Sequence, residues 1–593
     1  MTVKLEQLVD EVIETDFLIL GGGLVGCMAA LRARQNKNID VAIMERGNIW
    51  YGGNAIGFDD HNLEYPGIIE HPLPKNFSSE QASKGEFGAR RFHNIVSAKL
   101  AVTEGRNYVK PLVVLEEIGV KIREDDGTVK VKQTQKIPGG PNWHRLVPDA
   151  TGKIEGDKVF YRGSDVKEKL ANAVVKSGAR IFNRTILTNL ITQDGTVVGA
   201  TGMNTRTGKL LVFIAKAVLV STGDMRRLYT YPWAPFPNNL FLNSHFAGNH
   251  GGGIVAAFKA GAKLANMEFL QVYVVAAGAC ATSAAGAGMY WKMQNSKGEF
   301  LEEKYQGGML SKIGGHFPAT NFVYSPNIDD PEFEREVITY DTSNATDDEV
   351  VACYFTCATE YPRMLKLHKL AGGIRKGPVE ARVFIPGLLS GIVGVLNLNE
   401  KAETSVKNLF IAGCASSSTG SSGSKAMVWG HIVGDYVRDI ISDIKKPVLK
   451  GEQLQQVESE KKRILAPLNH KGGVDPLELE DYVRSINMNY VNVRKVEPKL
   501  KRAIALLQEI RNDVVPLLSA ENPHELMHVL EVQDIIEISE LHAQASLMRT
   551  ESRMVPSHYR VDYPKQDNEN WANIIITEQK IDDEIKYTRE RIE

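Results

Sequence analysis

The stretch from Asp16 to Glu45, DFLILGGGLVGCMAALRARQNKNIDVAIME, decides the fold of this 593-residue chain. Phe17 to Leu20 is an apolar run with the length of a buried strand, and Cys27 to Arg34 continues without a helix breaker. Val41 to Met44 is a second apolar run, which ends on Glu45. The order strand, glycine-rich turn, helix, strand predicts the start of a doubly wound α/β domain.

Three glycines in the turn, Gly21, Gly23 and Gly26, have the G-x-G-x-x-G spacing. The first allows the tight turn, the second lets the backbone approach a pyrophosphate, and the third lets the helix pack closely on the strand. The phosphates then lie at the helix N-terminus. Glu45 follows the last glycine by about 20 residues, where an acid accepts hydrogen bonds from the adenosine ribose. The turn predicts a dinucleotide site; a tight turn without a ligand is the alternative.

Three later segments extend the predicted site. Glycines cluster between Trp50 and Gly57, an apolar strand ends in Ser221-Thr222-Gly223-Asp224, and KNLFIAG at 407–413 leads into a Gly/Ser run and a helix. Contacts so far apart in sequence suit one long dinucleotide held at several points, which favours FAD over NAD. The acid at position 45 also argues against a 2′-phosphate. For the 50–57 segment, a flexible surface loop is the alternative.

Composition limits the other classes of function. The formal charge is −2, which gives nucleic acid no electrostatic reason to bind. The five cysteines form no C-x-x-C pair, so we expect no disulfide framework and no iron–sulfur cluster or other metal site in this chain. The N-terminus has no signal-peptide pattern, and the uncharged stretch from Phe269 to Trp291 is rich in small residues rather than Leu and Ile. We therefore expect a cytoplasmic protein without a membrane span.

The remaining sequence patterns give a coarse secondary structure. Asp165 opens a helix that runs to Ser177, and Asp194-Gly195 is a type I′ hairpin signal between strands at 186–191 and 197–203. Two further strands are expected at 211–214 and 217–220. Beyond Lys446 the sequence is charged and predicts helices with no strands, including one that starts after Asn522.

The chain resembles the flavoprotein subunits of the fumarate reductase/succinate dehydrogenase family in five segments: GGGLVG, AKAVLVSTGD, GGGIVAAFKAGAKLANMEF, VKNLFIAG and ESRMVPSHYRVDYPKQDNENW. Within that family, TGSSGS and GPVEARVFIPGLLSGIVGVL are most similar to the adenylylsulfate reductase flavoprotein branch. The resemblance covers most of the chain. It is more specific for FAD and for the fold than for a substrate.

The resemblance implies an α/β fold with four segments. A Rossmann-type FAD-binding domain spans residues 1–225 and 377–446, an α+β capping domain is inserted at 226–376, and a C-terminal helical domain covers 447–593. It also implies an FAD-dependent oxidoreductase that exchanges electrons with an iron–sulfur, ferredoxin-like partner in a hetero-oligomer.

Several family positions differ here. Succinate dehydrogenases attach the flavin to a His in the N-terminal glycine-rich segment, where this chain has Gly52 or its neighbours, so we expect non-covalent FAD. The substrate-binding His after the M-E-F element is replaced by Tyr273. The catalytic Arg of the T-E-x-x-R-G loop is absent from Thr282 to Gly286. Both changes remove groups that hold a dicarboxylate.

Further departures follow the same direction. The His expected before the last FAD strand falls within Pro386 to Ser390, and the late substrate-binding Arg falls among Thr419 to Ser421. The acid that usually follows A-G is Cys414. An Arg and a His of the adenylylsulfate branch are also missing. Burying an anion without charged donors costs several kcal/mol, so we expect a less anionic, apolar or aromatic organic substrate.

Candidate site residues follow from these comparisons. Asn62 falls where the adenylylsulfate branch has an active-site Asn, and His61 before it suits proton transfer near neutral pH, although an exposed loop His is an equal alternative. Together with Tyr273 they are the predicted catalytic residues. The predicted cofactor-binding residues are Gly21, Gly23, Leu24, Val25, Gly26, Glu45, Arg46, Gly52, Gly53, Asn54, Ile186, Thr222, Gly223, Gly413, Cys414, Gly423 and Ser424.

Two other functions stay open at this point. One is a divergent adenylylsulfate reductase, which adenosine monophosphate and sulfite would reveal by bleaching the flavin. The other is an electron-relay component of a larger redox complex, in which no small-molecule pocket lies over the flavin ring.

Overall fold

The computed structural model of the chain describes residues 5–54, 95–107, 109–122, 132–136, 144–148, 165–229, 248–276, 293–294, 297–298, 338–340, 343, 379–418, 423–582 and 584–592. The strands, numbered along the chain, are β1 Glu11–Leu20, β2 Val41–Glu45, β3 Lys132–Lys136, β4 His144–Pro148, β5 Arg180–Asn183, β6 Thr185–Gln193, β7 Thr196–Asn204, β8 Leu210–Val220, β9 Leu264–Ala265, β10 Leu270–Ala276, β11 Met293–Gln294, β12 Ile338–Tyr340, β13 Val379–Leu388, β14 Gly394–Leu396, β15 Leu409–Ile411, β16 Ser416–Ser417, β17 Arg494–Lys495, β18 Tyr559–Arg560, β19 Ile574–Ile581 and β20 Glu584–Arg591.

The helices, numbered in the same way, are α1 Leu5–Leu8, α2 Leu24–Ala33, α3 Ala98–Asn107, α4 Val109–Glu117, α5 Val166–Ser177, α6 Gly252–Lys259, α7 Gly423–Ile440, α8 Glu452–Leu465, α9 Pro476–Tyr490, α10 Glu497–Glu509, α11 Pro523–Met548 and α12 Asn568–Trp571. Within the described residues, no helix combines the length and the apolarity that crossing a bilayer requires.

The central sheet has the strand order β5-β2-β1-β8-β7-β6, and β15 also pairs with β8. β1 is parallel to β2 and β8 and aligns Leu20 with Met44 on one side and with Val220 on the other. β15 is parallel to β8 and brings Ile411 beside Val220. These four strands end at one edge of the sheet, which is where a doubly wound fold binds its ligand.

Strand β8 corrects one prediction. The sequence indicated two strands, at 211–214 and 217–220, whereas the structure has a single strand from Leu210 to Val220. Its first half pairs with β7 and its second half with β15. Lys216 does not interrupt the strand, because its ammonium remains partly exposed and pairs with Asp16 at 2.9 Å.

Other predicted elements are confirmed. Asp194 and Gly195 both have positive φ, at 49° and 71°, as a type I′ turn between β6 and β7 requires. Asp165 is the N-cap of α5. The Asn522 side chain caps α11 by accepting hydrogen bonds from the N–H groups of His524 and Glu525.

The prediction of a tail without strands is wrong. β19 and β20 form an antiparallel hairpin, and β19 also pairs with β9, so that Thr577 lies opposite Ala265. The resulting sheet has the order β16-β14-β9-β19-β20. Exposed and half-buried residues alternate from Glu584 to Thr588 in β20, as expected for an edge strand with one face in water. The many charged residues of the tail hid this period of two.

The predicted capping segment contributes a second sheet, with the order β10-β13-β12-β11. β10 and β13 are antiparallel and align Leu270 with Leu388. β13 spans Val379–Leu388, so this sheet includes a strand on the far side of the expected boundary at residue 377.

Buried charges join the carboxyl edge of the central sheet to the C-terminal helices. Glu531 of α11 is 0% exposed and accepts hydrogen bonds from Arg46 and, at 2.6 Å, from Arg227. It also contacts Nδ1 of His528 at 3.1 Å, and Arg227 pairs in addition with Glu480 of α9. Burial opposes ionisation, yet Arg227 and Arg46 hold the pKa of Glu531 well below its ordinary value. These five residues are called the Glu531 cluster below.

The C-terminal elements also hold the residues that precede β10. Nδ1 of His542 lies 2.6 Å from the carbonyl oxygen of Met267, and the ammonium of Lys495 donates to the carbonyl oxygen of Glu268 at 2.6 Å. Lys495 is fully buried. Burial lowers the pKa of Lys495 to about 7, against the opposing effect of the Glu268 carboxylate.

Candidate functional site

The glycine-rich turn lies at the carboxyl end of β1, as predicted. Gly21 has a φ of +100°, and a Cβ at this position would lie 2.6 Å from the carbonyl oxygen of Ser221. A Cβ at Gly26 would lie 2.0 Å from the carbonyl oxygen of Gly21, so only glycine permits this approach of helix to strand. The turn therefore has the tight geometry that the spacing predicted.

Gly23 differs from its neighbours because the space beside it is open. Apart from Gly23 itself and the residues next to it in the chain, no described atom lies within 4 Å of a Cβ built at Gly23. α2 begins at the next residue, Leu24, and the N–H groups in the first turn of a helix, here those of Leu24 and Val25, lack acceptors within the helix. An anion can therefore approach these groups from the open side.

The carboxylate of Glu45 is 4% exposed and binds the turn itself. One oxygen, Oε2, accepts the N–H of Gly22 at 2.7 Å, and the other, Oε1, accepts the N–H of Gly47 at 2.7 Å. Each carboxylate oxygen can accept a second hydrogen bond. A contact with the ribose hydroxyls of a nucleotide is compatible with this arrangement and stays a prediction.

Gly52 and Gly53, which belong to the second glycine-rich segment (residues 50–57), lie close to the glycine-rich turn after β1. A Cβ at Gly53 would lie 3.2 Å from Cα of Gly23, and one at Gly52 would lie 2.8 Å from Oε1 of Glu45. The side-chain oxygen of Asn54 accepts a hydrogen bond from Nδ2 of Asn249 at 3.1 Å. The structure thus brings this part of the predicted cofactor-binding set together.

The end of β8 lies beside the turn. The hydroxyl of Ser221 donates to the carbonyl oxygens of Leu20 and Gly21 at 2.9 and 3.0 Å. The hydroxyl oxygen of Thr222 is buried and, among the described residues, has no hydrogen-bond partner. Gly223 has a φ of +85° and packs against the side chain of Asn249. A buried hydroxyl of this kind is suited to a ligand that is held from this side.

The segment that follows β15, residues 413–424, contributes the last predicted part of the site. Gly413 has a φ of +74°, and a Cβ there would lie 2.6 Å from Cγ2 of Val25. Cys414 is half-buried within the turn 413–415. Gly423 and Ser424 begin α7, which packs against α2. This segment therefore meets the N-terminal end of α2, as the multi-point prediction requires.

The other predicted residues have mixed positions. Ile186 is 2% exposed at the start of β6, and its side chain belongs to the core. The side chain of Arg46 pairs with Glu531. Tyr273 lies on β10. His61 and Asn62 lie outside the described residues.

Two residues near the site were not predicted from the sequence. Asn249 links two predicted segments, because its Nδ2 donates to Asp224 at 2.9 Å as well as to Asn54. Lys167, on the first turn of α5, is 4% exposed and donates to the carbonyl oxygen of Gly22 at 2.6 Å. Neither contact has a local sequence signal, since each depends on strands and helices that are distant in the chain.

These residues fit a dinucleotide. The open side of Gly23, the free first turn of α2 and the buried hydroxyl of Thr222 together offer a phosphate site with polar contacts beyond it. Gly23, Leu24 and Val25 would hold the pyrophosphate, and Glu45 would face the ribose.

Comparisons with known proteins agree with this site. A family model described as an FAD binding domain matches residues 97–339, and one described as the fumarate reductase flavoprotein C-terminus matches residues 480–593. The chain is 22% identical over 591 residues to one chain of the fumarate reductase (CoM/CoB) from Methanothermobacter marburgensis, covering 96% of this chain and 98% of that relative. It is 23% identical over 591 residues to an FAD-dependent oxidoreductase of Methanocaldococcus jannaschii, covering 96% and 97%.

Solved structures share the fold. Adenylylsulfate reductase from Archaeoglobus fulgidus has a TM-score of 0.80 at 19% identity, covering 98% of this chain and 97% of that chain. E. coli quinol fumarate reductase has a TM-score of 0.77 at 17% identity, with the same coverage. At these identities the likeness concerns the fold alone.

The two family models match separate parts of one flavoprotein architecture, and the relatives align along nearly their whole length. The cofactor is therefore FAD. The chain is an FAD-dependent oxidoreductase flavoprotein, and it is similar along nearly its whole length to the flavoproteins of the fumarate reductase family.

Proposed function

We propose that this flavoprotein exchanges electrons between a weakly anionic, aromatic or apolar organic substrate and an iron–sulfur partner protein. FAD, when bound, supplies the two-electron chemistry, for which a C–C to C=C interconversion is the simplest case. The protein's own residues bind the cofactor, orient the substrate and carry a proton. We assign the FAD site to the residues around Gly23, and the substrate side to the capping segment between the two parts of the FAD-binding domain.

The observation that carries this proposal is that the two arginines after β8 already form ion pairs with carboxylates of the protein. Arg226 is 3% exposed and pairs with Asp224 at 2.6 Å. Arg227 pairs with Glu480 and Glu531, both buried. These guanidinium groups already neutralise carboxylates of the protein. Binding a dicarboxylate with them would break buried ion pairs, which typically costs about 3–5 kcal/mol.

The segment where the family has a His before the last FAD strand supports the same conclusion. A Cβ at Gly387 would lie 1.9 Å from the carbonyl oxygen of Met225, so this position accepts no side chain. Ser390 is 4% exposed, and its hydroxyl oxygen has no hydrogen-bond partner in the described part of the chain. A neutral hydroxyl in place of a cation favours a neutral polar group on the substrate over a carboxylate.

The experiment compares two substrates that differ in charge. The flavin of the purified protein is reduced anaerobically by light, and its reoxidation is followed by absorbance after adding fumarate or its neutral analogue dimethyl fumarate. We expect dimethyl fumarate to reoxidise the flavin faster than fumarate, since both contain the same C=C bond and only the dianion needs cations. Fumarate turnover near a typical enzyme rate of about 10 per second would overturn the proposal.

Fumarate reduction is the second candidate, because the Methanothermobacter marburgensis relative carries that name. The same assay decides between the two. Losing a positioned general acid lowers a rate by about 10²–10⁴-fold. Starting from a typical enzyme rate of about 10 per second, a protein without the catalytic Arg of the family should reduce fumarate at no more than about 0.1 per second. His61 and Asn62 stay the predicted proton-transfer pair, and replacing His61 by Gln should slow reoxidation without changing flavin content.

The iron–sulfur partner follows from the family resemblance and from the names of relatives as subunits. Copurification with a ferredoxin-like protein encoded nearby tests this part. A reduced flavin that passes no electrons to such a protein would contradict it.

A further inference from the structure

A buried ammonium lies directly against the glycine-rich turn. Nζ of Lys167 donates to the carbonyl oxygens of Gly22, at 2.6 Å, and of Ile49, and it lies 3.6 Å from Sγ of Cys27. The side chain is 4% exposed. It therefore connects α5 to the turn and to the segment that leads to Gly52.

This ammonium lacks a carboxylate partner. Lysine is almost never buried unless it is paired, and burying its charge is costly. Among the described residues, no carboxylate forms an ion pair with Lys167. Glu45 binds the same residue from its other polar group, because it accepts the N–H of Gly22 while Lys167 donates to the Gly22 carbonyl oxygen. A buried cation whose described contacts are two carbonyl groups and a thiol leaves its counter-charge to a ligand.

The geometry of the peptide shows where that ligand binds. In a trans peptide the C=O and N–H bonds point in opposite directions. Because the carbonyl of Gly22 points at the ammonium, the N–H of Gly23 points away from it. No described acceptor receives that N–H, and Gly23 has open space beside it. The ammonium also polarises the peptide and strengthens this N–H as a donor.

We propose that Lys167 is a positioning residue for the FAD pyrophosphate. It fixes the Gly22–Gly23 peptide with its N–H toward the phosphates, and it supplies the buried positive charge that balances them. Its bond to Ile49 keeps the second glycine-rich segment at a set spacing from the turn. This inference rests on the assignment of the Gly21–Gly26 turn as the FAD site.

The test uses Lys167→Gln, which removes the charge and keeps a hydrogen-bond donor. Lys169→Gln is the matched control, because Lys169 lies on the same helix, is partly exposed, and binds the carbonyl of Gly119 and the carboxylate of Asp165. The purified holoprotein is diluted, and the rise of free-flavin fluorescence gives the rate of FAD release. We expect release to be about 10–100-fold faster in Lys167→Gln, the range for losing a charge-assisted interaction, and within about twofold of wild type in Lys169→Gln.

A second readout separates positioning from a structural role. Unfolding temperatures are measured with and without excess FAD. A positioning role predicts that the rise caused by FAD shrinks in Lys167→Gln, because ligand stabilisation follows affinity. The inference would be overturned if Lys167→Gln released FAD at the wild-type rate. It would also be overturned if the substitution lowered the unfolding temperature by the same amount with and without excess FAD.

The Gly23→Val variant tests the position of the FAD site separately from the role of Lys167. If this variant keeps its FAD, the turn is not the FAD site and the assignment of the cofactor residues fails. If Gly23→Val loses FAD while Lys167→Gln retains it normally, only the role of Lys167 is wrong.

Discussion

Replacing Glu531 by glutamine should weaken the junction between the central sheet and the C-terminal helices. The carboxylate is 0% exposed and receives Arg46 and Arg227, so the variant leaves two guanidinium groups against a neutral amide. Arg227 keeps Glu480, whereas Arg46 has no other carboxylate among the described ion pairs. Removing one partner of a buried pair costs about 3–5 kcal/mol. We expect the lower end of this range, because Arg227 stays paired.

The matched control is Glu537→Gln on the same helix. Glu537 is partly exposed, and its carboxylate lies 3.5 Å from Lys259, so this change should cost less than about 1 kcal/mol. Urea unfolding of both variants is followed by far-UV circular dichroism and by free-flavin fluorescence. Glu531→Gln should lower the urea concentration at the midpoint of both transitions. The reason is that the Glu531 cluster connects α11 to Arg46, which lies next to the cofactor-binding residue Glu45.

The dependence on pH gives the sharper test. The folded pKa of Glu531 lies below its unfolded value of about 4.3, so the ionised group stabilises the fold above that pH, and this contribution is lost as the pH falls through the folded pKa. The advantage of wild type over Glu531→Gln should be full at pH 7 and shrink below about pH 4. A difference under about 0.5 kcal/mol at pH 7, or one that does not change on acidification, would refute the role of the cluster.

Four further outcomes are expected. Acid precipitation should release the flavin as FAD into the supernatant, because no His occupies the Gly52 region; yellow pellets would contradict this. Gly23→Val should purify without FAD, and Glu45→Ala should bind it about 10–100-fold more weakly, which absorbance of the purified proteins and flavin titration check. Lys495 has a folded pKa of about 7, below its unfolded value of about 10.4, so the wild-type unfolding temperature should rise between pH 7 and pH 10. Lys495→Met should lack that rise, and parallel profiles would show that the amine does not titrate there.

Local patterns predicted the nucleotide-binding half of the fold well. The spacing of Gly21, Gly23 and Gly26 requires a backbone geometry that few other residues allow. This spacing therefore predicts the turn without any knowledge of the rest of the chain. The turn at Asp194-Gly195 was predictable for the same reason, because both residues must adopt positive φ.

Features that depend on distant contacts were missed. Lys167 looks like any charged residue on a helix, and only the packing of α5 against the turn buries it. β19 was hidden because its partner strand, β9, is only two residues long and lies about 310 residues earlier. Lys216 suggested a break between two strands, although its partly exposed ammonium lets β8 continue through this position.

The pairing of β19 with β9 also sets an order on biosynthesis. Thr577 lies opposite Ala265, so a ribosome that has completed β9 must add about 310 more residues before the partner strand exists. At about 5–20 residues per second, one edge of β9 waits for roughly 15–60 s. An unpaired edge is a template for wrong association. Nascent chains stalled before Ile574 should therefore need chaperone protection that complete chains do not.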